Sequence, residues 1–349
     1  MNYYLAGQPS ALGCAQNTIE APMTSSCTLS TGSPEQKNWS TSPSTPRLFV
    51  GAKGLALRAS QYGDFTAPIV LLLHGGGQTR HAWADTARTI AGAGYCAITL
   101  DARGHGESDW CAQGDYSTES LVADLNAVIH SLPTAPIIVG ASMGGLTSML
   151  ALGENASLPC SALVLVDVAP RLEQQGVRRI IEFMRRHQDG FDSLEQVRDA
   201  IAAYNPHRPP PSDLSGLRKN LRQRDDGRLY WHWDPAFLDH ARLPTATNSG
   251  MFEQVRVERA ARKLSIPLLL IRGYQSDVLS DEGARELLDL VPHAHYVVLN
   301  QAGHMVAGDR NTVFSEAVLD FLQGSNAALS RQASSTTFDH GALHGTPTS

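Results

Sequence analysis

Between residues 137 and 145 the chain reads Ile-Ile-Val-Gly-Ala-Ser-Met-Gly-Gly, an apolar β-branched run ending in a serine flanked by small residues. The stretch from Leu146 to Leu152 then has the composition of a helix. A strand that passes into a helix through so short a link needs a turn too tight for most side chains. Gly140, Ala141 and Gly144 are small enough to let it close, and Ser142 at its centre must hold a strained backbone angle. That strain keeps the serine oxygen clear of the sheet. It also aims the next amide, on Met143, outward from the helix N-terminus. The pattern G-x-S-x-G in this setting is a nucleophile elbow. The pattern alone is common, and a turn serine can simply cap a helix; its place between a strand and a helix gives it chemical meaning.

The rest of the chain repeats the strand–helix alternation. Continuous apolar runs at Ile69 to Leu73, Tyr95 to Leu100, Ala162 to Val168, Leu268 to Arg272 and Tyr296 to Leu299 read as strands buried on both faces. Helical stretches fall at Thr79 to Ala93, Thr118 to Leu132, Glu282 to Leu290 and Thr312 to Leu322. The expected fold class is therefore α/β, a mostly parallel central sheet with helices on both faces. The core domain is predicted to span residues 47–168 and 264–323. Alternation stops over residues 169–263, which are helix-rich, include a proline-rich segment at 207–211 and read as a helical cap inserted over the sheet. Residues 1–46 and 324–349, rich in small and polar residues without periodicity, are expected to be disordered tails.

Composition narrows the function classes. A hydrophobic fraction of 42% supports a sizeable core. A formal charge of −6 and a pI near 6.1 argue against a nucleic-acid partner, which calls for a basic face. No apolar run approaches a membrane span, and no secretion signal is evident. The five cysteines (Cys14, Cys27, Cys96, Cys111 and Cys160) are odd in number, lack metal-like spacing and read as free thiols. A reducing, cytoplasmic location is the resulting expectation. No metal or cofactor signature is present, so none is expected; oligomeric state stays open.

A serine hydroxyl needs a base to take its proton, and the base needs an acid to orient it. Asp277 lies just past the strand at Leu268 to Gly273, and His304 just past the strand at Tyr296 to Leu299. In parallel sheets those strand ends are where active sites assemble. Asp167, at the end of an earlier strand, is the alternative acid; nearby Asp281 reads as a helix N-cap. Within the cap, Tyr230-Trp231-His232-Trp233-Asp234 is the most distinctive segment. Trp231 and Trp233 are candidate substrate-binding residues forming an apolar wall, or else anchors holding the cap to the sheet domain.

From Arg47 to Gly324 the chain resembles the α/β-hydrolases. The resemblance rests on His74-Gly75-Gly76, the Asp101-x-Arg103-Gly104-x-Gly106 loop, the elbow at Ser142, Arg272-Gly273-x-x-Ser276-Asp277 and Gly303-His304. It implies Ser142 as nucleophile, His304 as base and Asp277 as orienting acid. It implies too an oxyanion hole from the amides of Gly76 and Met143, with Gly75 leaving the backbone room to approach the substrate. The branch it most resembles contains esterases, lactonases, carbon–carbon bond hydrolases and cofactor-free perhydrolases. The expected activity is a serine hydrolase cleaving a small or medium carboxylic ester or lactone through an acyl-Ser142 intermediate. The alternatives are carbon–carbon bond hydrolysis or perhydrolysis with the same triad, and a non-catalytic ligand-binding protein of the same fold. Relatives with alkyl-enzyme chemistry carry aspartate at the elbow, where this chain has Ser142.

Overall fold

The computed structural model describes residues 43–206, 213–241, 251–300, 302–304 and 311–336. Along the chain run β1 (Thr45–Val50), β2 (Ala56–Tyr62), β3 (Ile69–Leu73), α1 (Ala84–Gly92), β4 (Cys96–Leu100) and α2 (Thr118–His130). Then come β5 (Ile137–Ala141), α3 (Met143–Glu154), β6 (Ala162–Val166), α4 (Gln174–Arg185), α5 (Leu194–Tyr204), β7 (Leu221–Gln223) and β8 (Leu229–Trp231). The chain continues through α6 (Phe237–His240), α7 (Gln254–Ala261), β9 (Leu268–Gly273), α8 (Asp281–Leu290), β10 (His295–Leu299) and α9 (Asn311–Thr336).

Eight strands form one sheet in the order β1-β2-β4-β3-β5-β6-β9-β10. β1 and β2 join antiparallel, while every pair from β4–β3 to β9–β10 is parallel. The parallel strands lack alternation because both faces are covered. Leu71 and Leu163 pack with α2, α3, α7 and α8 on one side, while Leu72 and Val164 pack with α1 and α9 on the other. Trp83 is fully buried on that second face, its ring 5.8 Å from Phe314 of α9. Register matters most between β5 and β6. Ala141 lies opposite Val166, so the next residues in each strand direction, Ser142 and Asp167, emerge side by side.

Three boundaries differ from those read in the sequence. β1 starts at Thr45, while residues 1–42, with Cys14 and Cys27, lie outside the described residues, as do 207–212 and 337–349. α9 continues through Gly324 to Thr336, so helix occupies part of the segment expected to be a tail. α7 falls inside the range assigned to the cap, yet Val257, Ala260 and Ala261 belong to the core cluster with α3. A Cβ at Gly153 of α3 would come within 2.2 Å of Ala260 O, so only glycine allows that contact. The helix-rich character of the 169–263 stretch does not tell which layer α7 joins. Among the described residues no helix is long and apolar enough to cross a membrane.

The loop after β4 is tied down from beneath. Arg103 donates to both carboxylate oxygens of Asp124 on α2 at 2.6 and 2.7 Å, and to Asp115 O at 2.9 Å. Both side chains of the pair are almost fully enclosed. Asp124→Ala would strand a buried guanidinium and is expected to cost roughly 3–5 kcal/mol. Lys53→Ala, which breaks an exposed pair with Asp115, should cost under about 1 kcal/mol. Urea unfolding midpoints check the contrast, and equal losses would show that the buried pair does not anchor the loop.

Candidate active site

The turn after β5 brings Ser142 to φ +44° and ψ −114°, a region that side chains rarely occupy. The turn can close because the residues two positions away on either side, Gly140 and Gly144, are glycines. A Cβ at Gly140 would lie 2.7 Å from Gly145 N, and one at Gly144 would lie 2.7 Å from Leu73 O. The Ser142 amide donates to Val166 O at 3.3 Å, tying the elbow to the end of β6. One residue further, Asp167 also has a positive φ, +51°, and its carboxylate is completely buried.

Asp167 is the acid that meets the histidine. Its Oδ2 lies 2.7 Å from His304 Nδ1. The same carboxylate accepts the Gly273 amide at 2.9 Å and the Ser276 hydroxyl. Three donors therefore satisfy a charge that would otherwise be costly to bury. Ser276 is itself held by the amides of Val278 and Leu279. Asp277, the acid implied by the sequence resemblance, faces the other way. It forms a salt bridge with Arg179 of α4 at 2.9 Å, with both side chains partly exposed. The reason is packing. A Cβ at Gly176 would come within 2.2 Å of Asp277 O, so α4 sits directly on this loop and draws the neighbouring carboxylate outward.

Gly75 closes on the serine: a Cβ there would sit 3.2 Å from Ser142 Cβ. Of the amides along its loop, that of Gly75 donates to Gln78 Oε1 at 2.9 Å, that of Gly77 to His105 Nε2 at 3.2 Å and that of Gln78 to Gly75 O at 3.1 Å. The amides of Gly76 and, across the elbow, Met143 donate to no described residue. The two amides named from the sequence as oxyanion donors are thus the ones left over after the loop has satisfied itself.

Trp231 and Trp233 lie in the cap. They stack on each other at 5.0 Å, and Trp231 also meets Phe183 and Phe191, so the pair forms the cap's own aromatic core. That cluster extends to Met143, the residue after the serine. Between the two tryptophans, His232 points to the opposite side. Its Nε2 donates to Gly77 O at 3.2 Å, and its Nδ1 accepts the Gly106 amide at 2.8 Å. Sequence reasoning passed over His232, which lies just past the end of β8.

His232 joins His74 and His105 in a buried row, with ring centroids 5.2 Å apart for the first pair and 5.8 Å for the second. Burial pushes all three imidazoles below the usual histidine range, His105 to about 3. Geometry agrees, because in each ring one nitrogen accepts a backbone N–H and the other donates to a backbone carbonyl. Only the neutral form can do both. Among the described residues no group of three His, Cys, Asp or Glu side chains is placed to hold a metal ion.

The family model described as the alpha/beta hydrolase fold matches residues 68–310. The chain belongs to that family. An esterase of Mycobacterium tuberculosis (Esterase Rv0045c) is 33% identical over 286 residues, covering 79% of this chain and 88% of that protein. A solved structure of that esterase matches with a TM-score of 0.62 at 29% identity, over 81% of this chain and 93% of the other. A 3-hydroxybutyrate-oligomer hydrolase of Cupriavidus necator is 29% identical over 255 residues, 70% of this chain and 85% of that one. The chain is a hydrolase of the alpha/beta fold.

Proposed function

We propose that this hydrolase cleaves carboxylic esters of small or medium size through an acyl-Ser142 intermediate. The observation that carries the reading is the contact between His304 Nδ1 and the buried Asp167 carboxylate, beside a serine held at a strained elbow. Asp167 fixes the proton on Nδ1, which leaves Nε2 with its lone pair free to take the Ser142 proton. The serine oxygen then attacks the ester carbonyl, and the amides of Gly76 and Met143 receive the developing oxyanion. His304 returns the proton to the leaving alcohol. Water, activated by the same imidazole, then releases the acid. Similarity to an esterase and to an oligoester hydrolase supports ester substrates. Lactones, as cyclic esters, fall within the same chemistry.

The test is covalent labelling. A fluorophosphonate should modify Ser142 alone, with the adduct mapped by mass spectrometry, and labelling should vanish in Ser142→Ala and slow sharply in His304→Ala. Modification of folded protein at any other residue, or none, would sink the assignment.

A further inference from the structure

The Gly75–Gln78 loop has an unusual support. A trans peptide is planar, so orienting one carbonyl also orients the N–H of the next residue, on the opposite side of the plane. His74 Nδ1 donates to Gly75 O at 2.8 Å, which aims the Gly76 N–H away from His74. His105 holds the next plane by accepting the Gly77 N–H. His232 holds the plane after that by donating to Gly77 O, and this plane carries the Gln78 N–H that donates back to Gly75 O. Three neutral imidazoles therefore grip three successive peptide planes, one each. Gly77 is the residue that needs them: its φ is +74°, and without a side chain it resists rotation least.

His74 and His105 come from the sheet domain, whereas His232 belongs to the cap. We propose that His232 is a positioning residue for ester hydrolysis, through which the cap sets the aim of the Gly76 amide in the oxyanion hole. The path is short: His232 fixes the Gly77–Gln78 plane, Gln78 N–H holds Gly75 O, and that carbonyl shares its plane with the Gly76 N–H. The contact is not needed merely to dock the cap. The Asp234 amide donates to Gly104 O at 2.8 Å, and the Tyr116 hydroxyl donates to Asp234. Arg222 donates to Gly106 O at 2.6 Å and to Ser108 O at 3.1 Å. These anchors remain when His232 is changed. The inference rests on the proposed hydrolysis at Ser142.

Two substitutions separate positioning from packing. A glutamine amide reaches where Nε2 stands and can keep the donation to Gly77 O. An asparagine amide reaches only the Nδ1 position and keeps the Gly106 contact instead. With a nitrophenyl ester as the probe, His232→Asn should lower kcat roughly 10- to 100-fold with little change in KM. His232→Gln should recover most of that loss, with both variants melting at similar temperatures. Arg222→Ala, which loosens the cap without touching Gly77, should leave kcat much less affected than His232→Asn does. Equal kcat for the asparagine and glutamine variants overturns the proposal. So does a loss in Arg222→Ala that matches the asparagine variant, or a loss that simply follows melting temperature. Failure of the underlying reading looks different, because wild-type protein would then neither turn over the ester nor label at Ser142.

Discussion

Asp167→Asn is expected to lower kcat by roughly three to four orders of magnitude, while Asp277→Asn should leave it within the same decade. The asymmetry follows from what each carboxylate holds. Asp167 is fully buried, and its Oδ2 accepts the Nδ1–H of His304, so the imidazole presents a free lone pair at Nε2. An asparagine amide at that position can turn its NH2 toward Nδ1, which moves the ring proton to Nε2 and removes the base. KM should change little, since in the proposed mechanism Asp167 acts by orienting the base rather than by binding substrate. Asp277 holds only Arg179, in a pair partly open to solvent. Such pairs contribute about 0–1 kcal/mol, and the expected effect of losing this one is a slightly looser α4. Steady-state kinetics of the two variants, with folding verified by circular dichroism, decide the matter. A collapse in Asp277→Asn with a mild effect in Asp167→Asn would reverse the assignment.

The elbow was legible because it is local. Strand, serine and glycines sit within a few residues, and the strain at Ser142 follows from the glycines that permit it. The acid was less legible. Asp167 and Asp277 each follow a parallel strand directly, and the sequence gives distance past the strand end without the direction of the side chain. What turns Asp167 inward is a positive φ together with donors from Gly273 and Ser276, more than a hundred positions away. What turns Asp277 outward is Gly176, a cap glycine that lets α4 approach the loop. The aromatic segment posed a similar difficulty. Trp231 ends β8 and the chain bends through His232 and Trp233, so no simple periodicity tells which of the three meets the sheet domain. Bulk made the tryptophans conspicuous, whereas the residue that touches the Gly75–Gln78 loop is the one between them. α7 completes the pattern: it lies in the stretch read as helix-rich cap, while its place on α3 depends on the missing side chain at Gly153.

The row of neutral histidines carries a cost that appears in acid. In the folded chain His74, His105 and His232 stay uncharged below the usual histidine range, since each ring nitrogen is committed to the backbone. Burial is the main cause. Asp101 pulls His74 and His105 back upward, while Arg80 adds to the lowering at His74 and Arg222 to that at His232. In the unfolded chain the same side chains titrate near 6.5. Above that pH both states are neutral, and the three residues contribute no pH dependence. As pH falls below about 6.5 the unfolded chain takes up protons that the folded chain refuses, so stability drops. Each group contributes at most about 1.4 kcal/mol per pH unit, and only over the interval in which it is charged in the unfolded chain and neutral in the folded one. The loss continues until the folded imidazoles themselves protonate, which for His105 is at about 3. Carboxylates held low by hydrogen bonds, such as Glu107 and Glu154, add to the loss only near and below their ordinary range of about 4.3. The interval from about 6.5 to 4.5 therefore belongs mainly to the histidines. Urea unfolding midpoints should fall across it, and His232→Gln, which removes one of the titrating rings, should make that fall shallower. A midpoint that stays flat from pH 6.5 to 4.5 would mean that the imidazoles accept protons without breaking their backbone contacts, which the geometry of all three rings forbids.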